Sequence, residues 1–332
     1  MPTALIVPEA MREVSEHAYV PLFREAGFEI RYPQNVQLAR GLNGSAEVIE
    51  ELAGVDAVIA GGEPYTPDVF QALPQLRVVA RAGVGYDQVD IPAATEHRVP
   101  VTITPTTNHE AVAELALSLL FAVTKSLVFH DRQVRAGHWP RQLLMPIRQR
   151  TFGILGLGRI GRSTAIRAKA LGMDVIATDA YPPHDFLAEQ KIELVEFDDL
   201  LARSDFVSVH CPHTPETENL FNRDVFAKMK RGSVLINTAR GKLVVEEDLV
   251  EALQSGQLRG AGLDVLRQEP PAADNPLFAL DNVVISPHLA GTDEMSLEGM
   301  GVEAAQCIVD LHQGRWPEGA VVNDDIRTGW AW

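Results

Sequence analysis

The sequence is poor in cysteine, poor in aromatics, short of basic residues and free of long apolar runs. Its two cysteines, Cys211 and Cys307, lie far apart in 332 residues and have no metal-ligand spacing. That excludes a disulfide framework or a zinc site and fits a reducing cytoplasm. Against 45 Asp and Glu there are only 29 Lys and Arg, a formal charge of −16. Nucleic acid and anionic membrane surfaces both select basic patches, so neither is expected as a partner. A small anionic substrate remains compatible, because one cleft can be basic on an acidic protein. No stretch approaches the roughly 20 apolar residues that cross a bilayer. The start, Met1-Pro-Thr-Ala-Leu-Ile-Val7, lacks the basic leader and apolar core of a signal peptide. Repeats and low-complexity tracts are missing as well. The expectation is a cytoplasmic protein with a small-molecule partner, long enough for two domains.

What the chain does contain is a glycine pattern in a telling context. Thr151-Phe-Gly-Ile-Leu-Gly-Leu-Gly-Arg-Ile-Gly161 runs an apolar strand into Gly156-x-Gly158-x-x-Gly161 and then into a helix. In a dinucleotide-binding βαβ unit the first glycine allows the tight turn and the second lets the backbone approach a pyrophosphate. The third lets the helix lie close on the sheet. The helix N-terminus then offers free N–H groups and a positive dipole end to the phosphates. Asp174-Val-Ile-Ala-Thr-Asp179 reads as the second strand. Asp179 ends it at about the 20-residue separation where a carboxylate grips a ribose 2′-hydroxyl. A 2′-phosphate would meet that charge, and Ala180-Tyr-Pro-Pro-His184 supplies no Arg or Lys to offset it. NAD is therefore expected rather than NADP.

Two α/β patterns follow one another. In the first, apolar runs at 4–7, 28–30, 57–60 and 77–80 alternate with helix-like stretches near 12–26, 45–52, 67–73 and 91–97. The second begins near Val101, with strand candidates at 151–155, 174–178, 206–209, 234–237, 261–263 and 283–286. Strands alternating with helices imply parallel sheets. Between the patterns, Thr107-Asn-His-Glu110 has capping-box form and opens an apolar-periodic helix of a length that suits a bridge between domains. The last helix-like stretch, about 293–313, leaves too little chain after it for a further domain. The chain is expected to cross back, making the first domain discontinuous and setting a cleft between the two.

In open parallel sheets, ligands collect outside the carboxyl ends of the strands. Arg240, Asp264 and His288 fall just past three such ends, and Glu269 lies in the loop after Asp264. Oxidising a secondary alcohol removes a hydride from carbon and a proton from oxygen. The cofactor accepts the hydride, so the protein must supply a base. His288 suits that task because imidazole titrates near neutrality, and a neighbouring Glu269 would orient it. Arg240 could hold a substrate carboxylate through paired N–H groups. Taken singly, each has a plainer reading: a surface arginine, a turn aspartate, a solvated loop acid, a histidine capping backbone after Pro287. Convergence at one sheet edge favours a site over four coincidences.

The chain resembles the D-isomer-specific 2-hydroxyacid dehydrogenases, the family of phosphoglycerate dehydrogenase, glyoxylate/hydroxypyruvate reductase and D-lactate dehydrogenase. The resemblance covers nearly the whole chain. It is carried by Arg81-Ala-Gly-Val-Gly-Tyr-Asp87, the glycine loop, Asn237-Thr-Ala-Arg-Gly241, Gly260-Ala-Gly-Leu-Asp-Val265 and Ser286-Pro-His-Leu-Ala-Gly291. It implies two doubly wound parallel-sheet α/β domains. One is a Rossmann NAD-binding domain over 102–288, the other a discontinuous flavodoxin-like substrate domain over 1–101 and 289–332. It further implies Arg240, Glu269 and His288 as catalytic residues, with Val84, Gly85 and Arg240 binding substrate. Gly156, Gly158, Arg159, Ile160, Gly161, Asp179, Cys211, Thr238, Ala239 and Asp264 would bind the cofactor, Asp264 near the nicotinamide amide. Asn108 would mark the hinge. A homodimer is implied, with Gly137-His-Trp139 resembling part of its contact, and no metal is.

Some positions depart from the family pattern or leave choices open. Residues 144–150 lack the glycine-lysine lead-in often found before the nucleotide strand, and Cys211 could equally be a small buried filler. No length remains past Trp332 for the regulatory domain of some phosphoglycerate dehydrogenases. The loop Ala60-Gly-Gly-Glu-Pro-Tyr65 carries Glu63 and no cation, so a small or neutral-tailed 2-hydroxy acid is favoured over a phosphorylated one. Tyr65 and Trp139 could line the pocket or pack. The alternatives are a phosphoglycerate dehydrogenase of serine synthesis, a non-catalytic NAD-sensing corepressor-like protein, and a formate dehydrogenase. The last carries glutamine where this chain has Glu269.

Overall fold

A computed structural model describes residues 1–12 and 17–332. They form two compact units, Met1–Asn108 with Gly291–Trp332, and His109–Ala290.

In the first unit β1 (Thr3–Ile6), β2 (Glu29–Arg31), β3 (Ala57–Ala60), β4 (Val78–Arg81) and β5 (Val101–Thr102) pair in parallel, in the order β2-β1-β3-β4-β5. This is the flavodoxin-like order. Side chains alternate across a strand, so Leu5 of β1 and Val7 just past it enter one core, and Ala4 and Ile6 enter another. The first core takes α2 (Ser45–Glu51), α3 (Pro67–Ala72) and α4 (Ile91–Glu96) through Val48, Val69, Phe70 and Ala94. The second takes α1 (Tyr19–Glu25) through Tyr19, Val20 and Phe23. Sheets covered on both faces read as continuous apolar runs, which is why short stretches such as 57–60 stand out in the sequence. The helix expected over 12–26 is seen from Tyr19; residues 13–16 lie outside the described residues.

The second unit opens with α5 (His109–Thr124) and α6 (Leu127–Arg135). Its strands are β6 (Thr151–Leu155), β7 (Asp174–Thr178), β8 (Glu193–Leu194), β9 (Phe206–Val209), β10 (Ser233–Asn237), β11 (Leu258–Leu263) and β12 (Val283–Ile285). They are parallel throughout, in the order β12-β11-β10-β9-β6-β7-β8. That is the dinucleotide-binding 3-2-1-4-5-6 arrangement with one strand added. α5 and α7 (Arg159–Ala170) cover one face through Ala116, Leu119, Leu120, Ala165 and Ala168, and α8 (His184–Gln190) adds Leu187. α9 (Phe197–Arg203), α10 (Arg223–Lys228) and α11 (Glu246–Gln254) cover the other through Leu200, Phe226 and Leu249. Where the family's lead-in is missing, Met145 and Ile147 fill the first of these cores.

α12 (Glu294–His312) then belongs to the first unit. Asp293 caps it, accepting from the Ser296 amide at 2.6 Å. Met300, Ala304, Ala305 and Ile308 pack with Ala4, Ile6 and Ile59. The terminal tryptophans are anchors: the Trp332 ring meets Phe28 and His312 edge-on, and Trp330 Nε1 donates to the Arg98 carbonyl at 2.9 Å.

Three details differ from the sequence expectations. The units divide at Asn108 and Ala290 rather than 101 and 288. β5 pairs with β4, and Ile103 N donates to the Ala320 carbonyl, which keeps 101–108 with the first sheet. The Leu289 and Ala290 amides are held by Asp264, which keeps them with the second unit. The Thr107–Glu110 capping box does not form. Glu110 instead accepts from Ser163 and pairs with Arg167 on α7, tying α5 to α7 within the second unit. Among the described residues no single helix is long and apolar enough to cross a membrane.

Candidate active site

The turn after β6 has the features of a phosphate cradle. Gly156 adopts φ +97, and its N–H donates to the Thr178 carbonyl at 2.8 Å. A Cβ on Gly161 would lie 1.9 Å from the Gly156 carbonyl oxygen, so α7 can sit this close to the turn only with glycine there. Gly158 is different: a Cβ on it would meet no protein atom within 4 Å. Nothing in the protein requires glycine at that exposed position, whereas a ligand lying against the backbone would. Arg159 is exposed and Ile160 half-buried at the start of α7, leaving their backbone beside that open space. Asp179 is fixed to the turn, accepting from Leu157 N at 2.5 Å and from Tyr181 N at 2.6 Å.

Past β10, the buried Thr238 Oγ1 has no partner of its own, as a residue kept for a bound group would. Ala239 N donates to Asn237 Oδ1, and Asn237 Nδ2 donates to the Arg240 carbonyl at 2.9 Å, which locks this loop. These residues fit a dinucleotide. Cys211 packs against the core beneath β9, and burial pushes its thiol up to about 11, far from a reactive thiolate. Burial pushes the neighbouring His210 down to about 4, so its ring is neutral; its Nε2 lies 2.9 Å from Ser208 Oγ.

His288 and Glu269 meet. Nδ1 of the histidine and Oε2 of the glutamate are 2.6 Å apart, and Glu269 Oε1 accepts from Leu266 N at 2.9 Å. Burial pulls the Glu269 carboxyl up, but the His288 bond and charge, the Leu266 amide and the Arg240 charge outweigh it and hold it below the usual glutamate range. His288 is 51% exposed, so Nε2 is the ring nitrogen presented for chemistry. Arg240 is half-buried on the loop after β10, its Nη1 donating to the Ala239 carbonyl at 2.7 Å.

Asp264, 1% exposed, is aimed at the loop that carries His288. Its Oδ1 accepts from Ser286 Oγ at 2.6 Å and from Leu289 N at 3.0 Å, and its Oδ2 from Ala290 N at 2.9 Å. Its carbonyl accepts from His288 N at 2.8 Å. His288 itself sits at φ +52, left-handed backbone that a side chain disfavours. Asp264 thus grips both sides of a strained residue. Ser286, part of that grip, was not singled out in the sequence, where a serine before proline carries no distinguishing signal.

In the first unit Val84 and Gly85 are half-buried on the loop after β4, and Arg81 Nε donates to the Gly85 carbonyl at 3.0 Å. Glu63, on the loop after β3, is fully buried beside Tyr65. Tyr65 is packing, also fully buried, while Trp139 in the second unit is 79% exposed.

A glycine turn of this build at the switch point of a doubly wound sheet marks a dinucleotide-binding protein. Residues 117–290 match the model of the D-isomer specific 2-hydroxyacid dehydrogenase NAD-binding domain. The chain is similar to a glyoxylate reductase of Korarchaeum cryptofilum, 39% identical over 84% of this chain and 86% of that one. It is 38% identical to a D-3-phosphoglycerate dehydrogenase of Archaeoglobus fulgidus over 91% of this chain, yet spans only 56% of that relative's length. The solved structure of the TT0316 protein from Thermus thermophilus superposes with TM-score 0.84 at 34% identity, covering 96% of this chain and 99% of that one. The chain belongs to the D-isomer specific 2-hydroxyacid dehydrogenase family, whose members are NAD-dependent oxidoreductases.

Proposed function

We propose that the protein interconverts a small, unphosphorylated D-2-hydroxy acid and its 2-keto acid, with His288 as acid and base. The observation that carries this reading is the 2.6 Å contact between His288 Nδ1 and Glu269, which fixes the ring and leaves Nε2 to the substrate oxygen. NAD, when bound, supplies the hydride acceptor. In oxidation His288 Nε2 takes the hydroxyl proton while Glu269 stabilises the resulting imidazolium; in reduction the same nitrogen returns the proton to the carbonyl oxygen. Arg240 holds the substrate carboxylate through its guanidinium, and Val84 and Gly85 are further substrate contacts. Gly156, Gly158, Arg159, Ile160 and Gly161 receive the pyrophosphate and Asp179 a ribose. Cys211, Thr238 and Ala239 line the rest of the nucleotide site, and Asp264 borders it while its carboxylate is engaged by the Ser286 hydroxyl and the Leu289 and Ala290 amides.

The working form is proposed to be a homodimer in the cytoplasm. α6 and the segment after it expose Leu127, Val128, Val134, Trp139 and Leu143 in one stretch of chain, an apolar surface that a second copy would cover. Both cysteines are free thiols, as a reducing compartment keeps them. Sedimentation at micromolar concentration tests the dimer, and a monomer would end that reading.

The reaction is tested by NADH oxidation over a panel of 2-keto acids, glyoxylate and hydroxypyruvate among them, with His288→Gln as the blank. Turnover should fall by about 10²–10⁴-fold in the variant. Full activity in His288→Gln would remove the assigned role. Tight NADH binding with no turnover on any keto acid would favour a nucleotide-sensing protein instead.

A further inference from the structure

The chain between β11 and the 3-10 turn Pro276–Ala279 takes no regular structure, yet it carries Glu269. Leu266 near its start and Leu277 just past its end are buried in the core of the second unit. Residues 267–274 between them are exposed apart from the half-buried Pro271. Exposed irregular backbone is the part of a fold that opens most readily, and here it must present a carboxylate to His288 at 2.6 Å. Something has to hold it.

Glu246, half-buried at the first position of α11, places one carboxylate oxygen at each end of this loop. Oε1 accepts from Arg267 N at 2.6 Å, and Oε2 accepts from Asn275 Nδ2 at 3.0 Å. Asn275 cannot turn its amide round without losing another bond, because its Oδ1 accepts from Leu277 N at 3.0 Å. Two donors at opposite ends of the loop therefore need two acceptors, which a carboxylate supplies and a glutamine does not. The Arg240 loop bears on the same place: a Cβ on Gly241 would lie 2.0 Å from the Leu266 carbonyl carbon, so the two loops meet backbone to backbone. An acid in the first turn of a helix also favours the dipole, but Glu247 and Asp248 in the same turn serve that equally.

We propose that Glu246 is a positioning residue for the acid–base pair: by tying both ends of the 267–275 loop to α11 it fixes where Glu269 stands, and through Glu269 the ring of His288. Arg267 strengthens one end, its Nη1 donating to Asn219 Oδ1 at 2.6 Å. The inference rests on the proposed hydroxy-acid activity and adds a residue outside the set proposed to touch substrate or cofactor.

The test is a double-mutant cycle read in kcat for 2-keto acid reduction at saturating NADH. Glu246→Gln should lower kcat by about tenfold, the order expected for a displacement of less than 1 Å at the reacting groups. KM for the keto acid and Kd for NADH should stay within about twofold, since neither is bound by this loop. On a Glu269→Gln background the same change should alter kcat by less than about twofold, because the side chain it positions is already gone. An unchanged kcat in folded Glu246→Gln overturns the inference, and so does the full drop repeated on the Glu269→Gln background. If Glu246→Gln does not fold, Asn275→Asp decides: it keeps the acceptor for Leu277 N but sets a second carboxylate against Glu246, and an unchanged kcat there overturns the inference. Should wild type reduce no 2-keto acid, the proposed reaction fails while the inference is still decided by hydrogen exchange. The amides of residues 267–275 should then exchange about tenfold faster in Glu246→Gln, and equal exchange overturns it.

Discussion

Replacing Asp264 with asparagine separates two roles that the same residue could have. Three donors converge on its carboxylate: the Ser286 hydroxyl and the Leu289 and Ala290 amides. Asparagine keeps one acceptor oxygen and turns an NH₂ toward at least one of these donors. A hydrogen bond to a charged group is worth about 1.5–3 kcal/mol, and a buried N–H left unmatched costs a comparable amount. The clamp also offsets the left-handed backbone of His288, which costs about 1–2 kcal/mol. The net loss should be roughly 2–4 kcal/mol, lowering Tm by about 5–10 °C for a unit of this size. If the clamp exists to place the imidazole, kcat should fall by about 10–100-fold, since a displacement near 1 Å has effects of that order. The Kd for NADH, read by fluorescence, should stay within about twofold. Ser286→Ala, which spares both amides, should cost only about 1 kcal/mol. The reasoning is refuted if Asp264→Asn keeps kcat at saturating NADH but loses NADH affinity, because the carboxylate would then be serving the nicotinamide.

The glycine turn makes an opposed pair of predictions. Gly158→Ala should leave Tm unchanged yet weaken NADH binding about tenfold or more, whereas Gly161→Ala should lower Tm because its Cβ has no room; equal effects on Tm would contradict the assignment. Glu269 is held below its ordinary value of 4.5. The stability it draws from its depressed state is therefore present above that value and lost as pH falls through the depressed one. The Tm gap between wild type and Glu269→Gln should persist at pH 5–6 and close only in more acid solution; a gap that vanishes near pH 6 would count against the pair. His210 is pushed from 6.5 down to about 4, so unfolding takes up a proton between those values. Stability tied to the neutral ring is complete above 6.5 and drains as pH falls toward 4. His210→Gln should flatten Tm against pH across that window, and an unaltered slope would show the ring is not responsible.

Most of the architecture was legible because parallel sheets buried on both faces announce themselves as apolar runs. β8 was not: Glu193 and Leu194 are both exposed, so no periodicity marks them. β5 is only two residues long and could not be told from the start of the second pattern. His288 and Glu269 were visible as residues past strand ends, and their contact follows from the fold. The fates of Tyr65 and Trp139, the burial of Glu63 and the grip of Asp264 were not visible. Each is set by which loop lies against which, and residue type alone pointed the wrong way for a buried glutamate. The Thr107–Glu110 motif shows the same limit, since Arg167 and Ser163 on a neighbouring helix outcompeted a local cap.

The return of α12 to the first unit has a consequence for the chain as it leaves the ribosome. Met1–Asn108 is made first, but one face of its sheet is closed by Met300, Ala304, Ala305 and Ile308. β5 also waits for Asn323, whose Oδ1 accepts from Val101 N and whose Nδ2 donates to the Val99 carbonyl. Until those residues emerge, Ala4, Ile6, Ile59 and Ala80 have no complete cover, and an uncovered sheet face is what chaperones bind and aggregates recruit. The contiguous stretch His109–Ala290 has no such dependence. Vectorial synthesis therefore runs against the usual N-to-C order: the middle of the chain finishes folding before its beginning can.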